Sequence, residues 1–512
     1  MNDPRPATVY AYHQRTKHSL QAYAKGPQYL DWDQQPNPFR RFAGAALVEL
    51  PLTKPAGEGS GMGGNIAALL ELSMGLSAWK QYGPDRWALR CNPSSGNLHP
   101  TECYIVTSGI DGLGDGVYHY APHEHALELR GTLVQATAQP QLLLGFSSIA
   151  WREAWKYGER AFRYVQLDVG HALGAMRYAA AVWGWQIELL PVTDAQISAL
   201  LGLDRAQDFT NAETEHPDLL LRVVFNDSAW ELPQISAWFG TANALGGYPR
   251  HQWTVIDDVT AATAQTSALP VSPVQRENLP AQAHWLPLIR QRRSAQAFTS
   301  KAEPLASSAF FQMLQALLPE SGMPWDVWTL PTRLHPLFFV HRVDGLPAGL
   351  YALPRTPTAQ PALQAALSTE FIWEKVAECP ADLPLYRLLL ADARKAARTL
   401  SCHQDIASTS AFSLGMLAEF DATLQHAASL YRQLYWEAGL LGQVLYLEAE
   451  RQGVRGTGIG CFFDDNVHEV FGMKTTQWQS LYHFTVGTPV VDSRIQTLPP
   501  YAHLPPERQP ES

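Results

Sequence analysis

The sequence predicts an α+β fold built twice: two diverged copies of one α/β sandwich forming an internal pseudo-dimer. Three observations carry this. Short segments recur in the same order along the chain, two long stretches of helical apolar spacing sit at matching places in that order, and strand-like alternation surrounds each stretch. In order, Lys17-His18-Ser19-Leu20-Gln21-Ala22-Tyr23 matches Arg292-Arg293-Ser294-Ala295-Gln296-Ala297-Phe298, and Leu98-His99-Pro100 matches Leu334-His335-Pro336. Gly116-Val117-Tyr118 matches Gly349-Leu350-Tyr351, and Phe162-Arg163 matches Tyr431-Arg432. Asp168-Val169-Gly170 then meets Glu437-Ala438-Gly439, and Leu201-Gly202-Leu203 meets Phe471-Gly472-Met473. The spacing between partners shrinks after the first match and recovers between Tyr351 and Tyr431, so copy two has lost early sequence and regained length later.

The elements follow from periodicity. Residues 161–184 and 431–453 read as long helices ended near glycine. GVYHYAPHEHALELR alternates around a turn and reads as a hairpin, while residues 102–106 and 219–225 read as strands. Residues 246–283 are rich in Pro, Ala, Thr and Ser and read as a linker, placing copy one at 1–245 and copy two at 284–500. The Pro-rich tail 501–512 is expected to wrap the surface or fray.

Composition narrows the function. Of 512 residues, 46% are hydrophobic and 17% charged, which describes a globular chain with ample core. The net charge of −10 gives no basic footprint for nucleic acid. No apolar run is long enough to span a membrane, and the opening MNDPRPATVY lacks a secretory pattern. Five cysteines form no CxxC pair, so a reducing, cytoplasmic setting is expected and a disulfide framework or structural zinc site is not.

Two segments offer chemistry. Arg90-Cys91-Asn92-Pro93-Ser94-Ser95-Gly96-Asn97-Leu98-His99-Pro100 gathers small hydroxyls, a glycine and an amide before a strand, where backbone N–H groups can approach a flat ligand. The plainer alternative is an ordinary Asx or Ser turn. Arg290-Gln291-Arg292-Arg293-Ser294 ends an apolar stretch, and arginine forks beside a hydroxyl suit a phosphate. The alternative there is a cationic helix C-terminus facing its dipole. Gly61-Met62-Gly63-Gly64 lacks the Lys-Ser/Thr of a phosphate loop and reads as a flexible loop, and no triad or HExxH competes.

Together RxxPSSGNLHPTExY, GVYHYxPxxHxL, KYGERAFRYxxxDxGH and IGCFFDDxV resemble the nitroreductase superfamily of flavoenzymes, in particular its SagB-type branch, which includes azoline dehydrogenases. The resemblance implies an FMN-dependent oxidoreductase that moves two electrons through the flavin N5. It places the phosphate at Arg292, Arg293, Ser294 and Gln296, with Arg494 as a second basic contact and Gly460 and Cys461 as the late flavin segment. Arg90, Pro93, Ser94, Ser95 and Asn97 would supply the ring-facing loop from copy one. Lys156 and Tyr157 are similar to the Lys-Tyr pair that azoline dehydrogenases use for proton abstraction, and a buried lysine can serve as a base. The alternative is a helix-surface pair among exposed i,i+4 contacts of Arg152, Glu153, Glu159 and Arg163. His171 is read as a core residue, and Cys91 and Cys461 as buried inert thiols.

A second flavin site would need Lys17, Ser19 and a PSSGN loop in copy two, which instead has Leu330-Pro331-Thr332-Arg333, with Arg333 offering a fixed cation for the vacated space. Copy one likewise has Glu188-Leu189-Leu190-Pro191 where copy two has its glycine-rich run. The expectation is one FMN per monomeric chain, acting on a small-molecule or peptidic substrate. NAD(P)H-driven nitro or quinone reduction, and a noncatalytic flavin-binding scaffold, are the alternatives.

Overall fold

The computed structural model describes residues 3–53, 61–225, 229–247, 252–269, 271, 279–319 and 322–508. Parts of the expected linker (248–251, 270, 272–278) and tail (509–512) lie outside these. The middle of the molecule is two long helices, Ala161–Ala181 and Leu430–Arg451, each buried along nearly its whole length. They run parallel: Phe162 stacks on Tyr431 near their starts, and Gly174 meets Gln443 further along. At the crossing Gly170 faces Trp436 and Gly439 faces Leu167. A Cβ on either glycine would collide with the backbone carbonyl opposite. Only glycine lets the two backbones approach this closely.

One antiparallel sheet flanks each helix. In spatial order the first runs Ile235–Trp238, Ala126–Leu133, Gly116–Ala121, Thr101–Ser108, Gln141–Ser148, His216–Val224, Gln186–Leu189. The second runs Glu374–Lys375, Tyr386–Leu390, Gly349–Ala352, Leu334–Val340, Phe412–Glu419, Trp478–Gly487, Arg455–Ile459. Apart from the first-named edge strands, the two lists follow the same chain order, position by position. The length regained by copy two holds the helices Ala359–Ala366 and Arg394–Leu400. Reciprocal ion pairs mark a pseudo-twofold axis: Arg163 pairs with Asp464 at 2.7 Å, and Arg432 pairs with Asp194 at 2.9 Å.

That symmetry corrects two of the six sequence matches. Asp464 exchanges hydrogen bonds with His18, its N–H to the His18 carbonyl and the His18 N–H to its carboxylate. Asp194 makes the same exchange with Gln265. The counterpart of helix Arg5–Arg15 is therefore Thr254–Ala262, inside the expected linker, and Lys17-His18-Ser19 is not equivalent to Arg292-Arg293-Ser294. Helix Trp285–Gln291 instead lies at the far end of the central pair, with Trp285 against Tyr178. Leu98-His99-Pro100 is also out of register, since Thr101 pairs with Ser148 as Leu334 pairs with Ala418. The residue equivalent to Pro100 is Arg333, whose carbonyl accepts the Glu419 N–H as that of Pro100 accepts the Ile149 N–H.

Other expectations meet the structure directly. The hairpin and the strands form as read. Gly61-Met62-Gly63-Gly64 opens the helix Gly61–Ser73 instead of forming a loop, because the apolar run that follows packs against the first central helix. The tail wraps: Gln496–Leu498 adds a strand to Leu76–Tyr82, and buried Tyr501 accepts the Leu76 N–H at 2.9 Å. No helix among the described residues is long and apolar enough to cross a membrane.

Charge is buried in the first sheet. His119 lies between Glu102 (3.0 Å) and Glu128 (2.9 Å), and Arg152 closes on the other oxygen of Glu102. Burial alone would depress the His119 imidazole, but hydrogen bonds to two carboxylates more than reverse this and raise it to about 9. Its stabilising contribution is complete below its ordinary value of 6.5 and is lost as pH rises through about 9. Urea midpoints should therefore fall across that window in the wild-type protein, and this slope should be absent from His119→Gln. Gly170→Ala should cost about 1–3 kcal/mol in the same measurement, because the added methyl overpacks the crossing.

Candidate functional site

A cleft of about 450 Å³ opens between the copies, within the range of small-molecule sites. Copy one supplies the loop Pro93–Asn97 and the hairpin Leu76–Tyr82/Asp85–Arg90, and copy two supplies residues 292–296, 455–461 and 490–495.

The loop is held from beneath. Ser95 donates both its N–H and its hydroxyl to Asp168 Oδ1, each at 3.1 Å. Asn97 Nδ2 donates to the Ala88 carbonyl at 2.9 Å, and Ser94 Oγ accepts the His99 N–H at 2.8 Å. Gly96 sits between them at φ +60°, a left-handed backbone that favours glycine. A Cβ there would stand 2.5 Å from the Tyr157 hydroxyl and 3.2 Å from Lys156 Nζ. The loop and the Lys156–Tyr157 pair are thus packed together, although only Tyr157 lines the cleft itself.

The opposite wall is cationic. Arg292, Arg293, Arg455 and Lys80 all line it. Arg292 is buried, donates from Nη2 to the Arg90 carbonyl at 3.1 Å, and keeps an Nε that finds no partner among the described residues. Burial, reinforced by the Arg292 charge, lowers Arg293 to about 10. The nearest counter-charge is Glu450, which accepts the Arg293 N–H at 3.1 Å and lies 3.4 Å from Arg455. Arg293 is half-buried and turns its guanidinium onto the carbonyls of Arg290, Arg292 and Ser77, whereas Arg292 is buried without a carboxylate partner, and a buried guanidinium in that condition suits a phosphate. Ser294 Oγ and Tyr446 share a hydrogen bond at 2.9 Å, and Tyr446 accepts the Gly458 N–H at 3.0 Å. Side chains at Gly458 and Gly460 would strike Tyr482 and Tyr164, so bare backbone faces the cleft there.

Most of the residues read from the sequence meet here: Arg90, Pro93, Ser94, Ser95, Asn97, Arg292, Arg293, Ser294, Gln296, Gly460 and Cys461. Arg494 does not. It is exposed and paired with Asp492 at 2.7 Å, drawn off by a carboxylate two residues away. Lys80, Arg455 and Tyr446 come from strands and a helix whose sequences carry no cofactor signal. His171 lines the cleft while its ring nitrogens engage Tyr482 and Gln443. Cys91 is buried, its thiol pushed up to about 12 by that burial. Cys461 differs from the expected inert thiol: it faces the cleft, and hydrogen bonds from Cys402 and then His18 lower it despite burial. Arg152, Glu153, Glu159 and Arg163 are all buried, not exposed; Arg152, Glu159 and Arg163 find their partners on distant elements, in Glu102, Arg15 and Asp464.

The symmetry-related place in copy two is built differently. Glu437 stands where Asp168 does and accepts the Arg333 N–H at 2.9 Å. Arg333 also gives its carbonyl to the Glu419 N–H, as Pro100 does to Ile149. One residue thus does what Ser95 through Pro100 do in copy one, and the intervening loop is gone. Arg355, not Arg333, is the fixed cation: it pairs with Glu437, donates to the Leu317 carbonyl at 2.6 Å and lies 4.4 Å over Trp325.

Known proteins share this architecture. No family model matches the chain. A protein of Methanocaldococcus jannaschii provisionally named a nitroreductase is 33% identical over 116 residues, 20% of this chain and 58% of that protein. The trifolitoxin-processing protein TfxB of Rhizobium leguminosarum bv. trifolii is 32% identical over 130 residues, 22% of this chain. The chain thus spans 58% and 35% of the lengths of these two relatives. The crystal structure of a provisionally named nitroreductase from Anabaena variabilis superposes with a TM-score of 0.71 at 22% identity, covering 94% of this chain and 99% of that one. At that identity the likeness is one of fold, and it extends over nearly the whole length: the protein has a nitroreductase-like fold.

Proposed function

We propose that the chain is an FMN-dependent oxidoreductase with one composite site, formed where the Pro93–Asn97 loop of the first copy meets Arg292–Gln296 of the second. The observation that carries this is the buried, unpartnered Nε of Arg292 among four cations, directly across the cleft from a loop anchored on Asp168. Arg292, Arg293, Arg455, Lys80 and Ser294 would hold the phosphate. The bare backbone at Gly458 and Gly460 and the polar loop Ser94–Asn97 would border the ring. FMN bound there supplies two-electron, hydride-accepting chemistry.

The protein's own part is binding, exclusion of water and proton handling. Lys156 Nζ, beside Gly96, accepts the proton that a dehydrogenated substrate gives up, and the Tyr157 hydroxyl next to it orients the reacting group. The name of the trifolitoxin-processing relative favours a specialised small-molecule or peptidic substrate, and the resemblance to SagB-type dehydrogenases points the same way. The second copy's counterpart, occupied by Arg355 and lacking the loop, supports a single flavin and a functional monomer.

Acid-released flavin, read by absorbance, should amount to one FMN per chain, and two would overturn the composite-site reading. Arg292→Ala and the Ser94→Ala/Asn97→Ala double variant should lose the flavin, whereas Lys17→Ala should keep it, because Lys17 is paired with Asp465 at 2.6 Å. Anaerobic addition of NADPH separates the two chemistries: bleaching of the bound flavin identifies a reductase, and an unchanged spectrum a dedicated dehydrogenase. With substrate in hand, Lys156→Ala should retain flavin and lose about 10²–10⁴-fold in turnover; unchanged turnover would remove Lys156 from its role.

A further inference from the structure

Two half-exposed thiols meet at the wall of the cleft. Cys91, Cys103 and Cys379 are buried, whereas Cys402 and Cys461 are not. Cys461 lines the cleft directly after Gly460, and Cys402 lies in the turn that follows helix Arg394–Leu400. Contacts on either side bring the two segments together. Phe463 donates its N–H to the Leu400 carbonyl at 2.8 Å, and Gln404 Nε2 donates to the Cys461 carbonyl at 3.4 Å. The rings of His403 and Phe463 meet edge to face at 5.4 Å. Cys402 and His403 both take left-handed backbone, at φ +54° and +59°, so the chain reverses there. The segments run in opposite directions, and between these contacts the thiols of Cys402 and Cys461 share a hydrogen bond.

The surroundings divide the pair into a donor and an acceptor. Cys402 donates to Cys461 Sγ, and His18 faces the same sulfur. His18 Nδ1 accepts the Ala24 N–H at 2.8 Å, so the ring proton of the neutral imidazole sits on Nε2, the nitrogen left for Cys461. Arg160 stands close by, donating from Nη2 to the Gly460 carbonyl at 3.2 Å. Two donors and a nearby cation favour a thiolate at Cys461, and the shared hydrogen bond keeps the proton on Cys402. Cys402 also adjoins the exposed Tyr23, so the pair reaches from the cleft wall to the outer surface. Copy one has none of these groups. Gln265 stands where His18 does, and Pro191-Val192-Thr193 before Asp194 contains no cysteine. Helix Arg394–Leu400 belongs to the length that copy two alone carries.

We propose that Cys402 and Cys461 form a thiol–disulfide exchange site for small-molecule disulfides, with Cys461 as the attacking thiol and Cys402 as the resolving one. The Cys461 thiolate, its proton already given to water, attacks one sulfur of the disulfide. A mixed disulfide forms on Cys461, and the other half leaves as a thiolate that takes the Cys402 proton. Cys402 then attacks Cys461 Sγ, the protein disulfide closes, and the second half leaves as a thiolate that is protonated from water. Two cysteine thiols and one disulfide thus become one protein disulfide and two small thiols, with two electrons passing from protein to small molecule. An excess of small thiol reverses every step. The closed bond ties the turn after helix Arg394–Leu400 to the segment Gly458–Cys461 that borders the cleft. In a reducing setting an accessible pair of this kind cycles instead of persisting as a disulfide. The site uses groups of this chain alone and does not rest on the flavin reading.

Oxidised glutathione added to the full-length protein tests this. Peptide mass mapping without reduction should find Cys402 joined to Cys461, with Cys91, Cys103 and Cys379 still free, and dithiothreitol should restore both thiols. Cys402→Ser should stop at the mixed disulfide and carry one glutathione on Cys461. Cys461→Ser should react at Cys402 about tenfold more slowly than Cys461 reacts in Cys402→Ser, because only Cys461 has donors that hold its thiolate. The proposal fails if no Cys402–Cys461 link forms, or if either thiol links to another cysteine instead. It fails equally if Cys402 in the Cys461→Ser variant takes up glutathione as fast as Cys461 does in the Cys402→Ser variant.

Discussion

The arrangement of the two copies depends on the contact of two helix backbones at Gly170 and Gly439, where neither position has room for a side chain. With side chains excluded from the crossing, the two sheets are fixed about a common axis and the residues flanking the helices meet in one register. The reciprocal pairs Arg163–Asp464 and Arg432–Asp194 repeat this geometry on either side. Buried ion pairs of this kind add little net stability over well-packed apolar groups, but a mispaired partner is strongly penalised, so they act to specify the arrangement. The cleft inherits its shape from the same crossing, for its walls come from opposite copies and neither copy could hold a ligand in this way alone.

From a symmetric frame the chain has made an asymmetric molecule. The divergence is concentrated at a few positions: a loop of six residues shortened to one, a carboxylate answered by Arg355, and glycines at 456 and 458 in one late strand where the other has Ile187 and Leu189. Each change replaces a place where a polar ligand group could be satisfied with one where protein groups satisfy each other. Of these positions only Asp168 and Glu437 lie beside the helix crossing, and Gly170 and Gly439 themselves are kept in both copies.

Much of this was legible locally. Helical periodicity located both central helices, alternation around a turn located the hairpin, and the small polar residues of 93–97 marked the loop, because each of these signals lies within one element. The cationic wall was half legible: Arg292 and Arg293 stand in one motif, whereas Lys80 and Arg455 arrive from separate strands. Charge-rich sequence misled where burial was concerned. Arg152, Glu153, Glu159 and Arg163 read as a solvated face because nothing in their neighbourhood reveals partners such as Asp464, some three hundred residues away. The match of Lys17-His18-Ser19 to Arg292-Arg293-Ser294 failed for a related reason. Similar words were compared, while the hydrogen bonds that define equivalence join His18 to Asp464 and Gln265 to Asp194.

The strap that follows the last strand of the second sheet has a consequence for how the protein is made. Val490, Val491 and Ile495 line the cleft, and Tyr501 fastens the strap to Leu76 on the first copy. The first copy emerges from the ribosome long before these residues, and can form its own sheet while the loop and the hairpin beside it stand open. The cleft gains its final wall only when the C-terminal segment has been released and folded back across the earlier half. A nascent chain arrested short of residue 490 would set the loop against residues 292–296 and 455–461 alone, without the wall that Val490, Val491 and Ile495 complete.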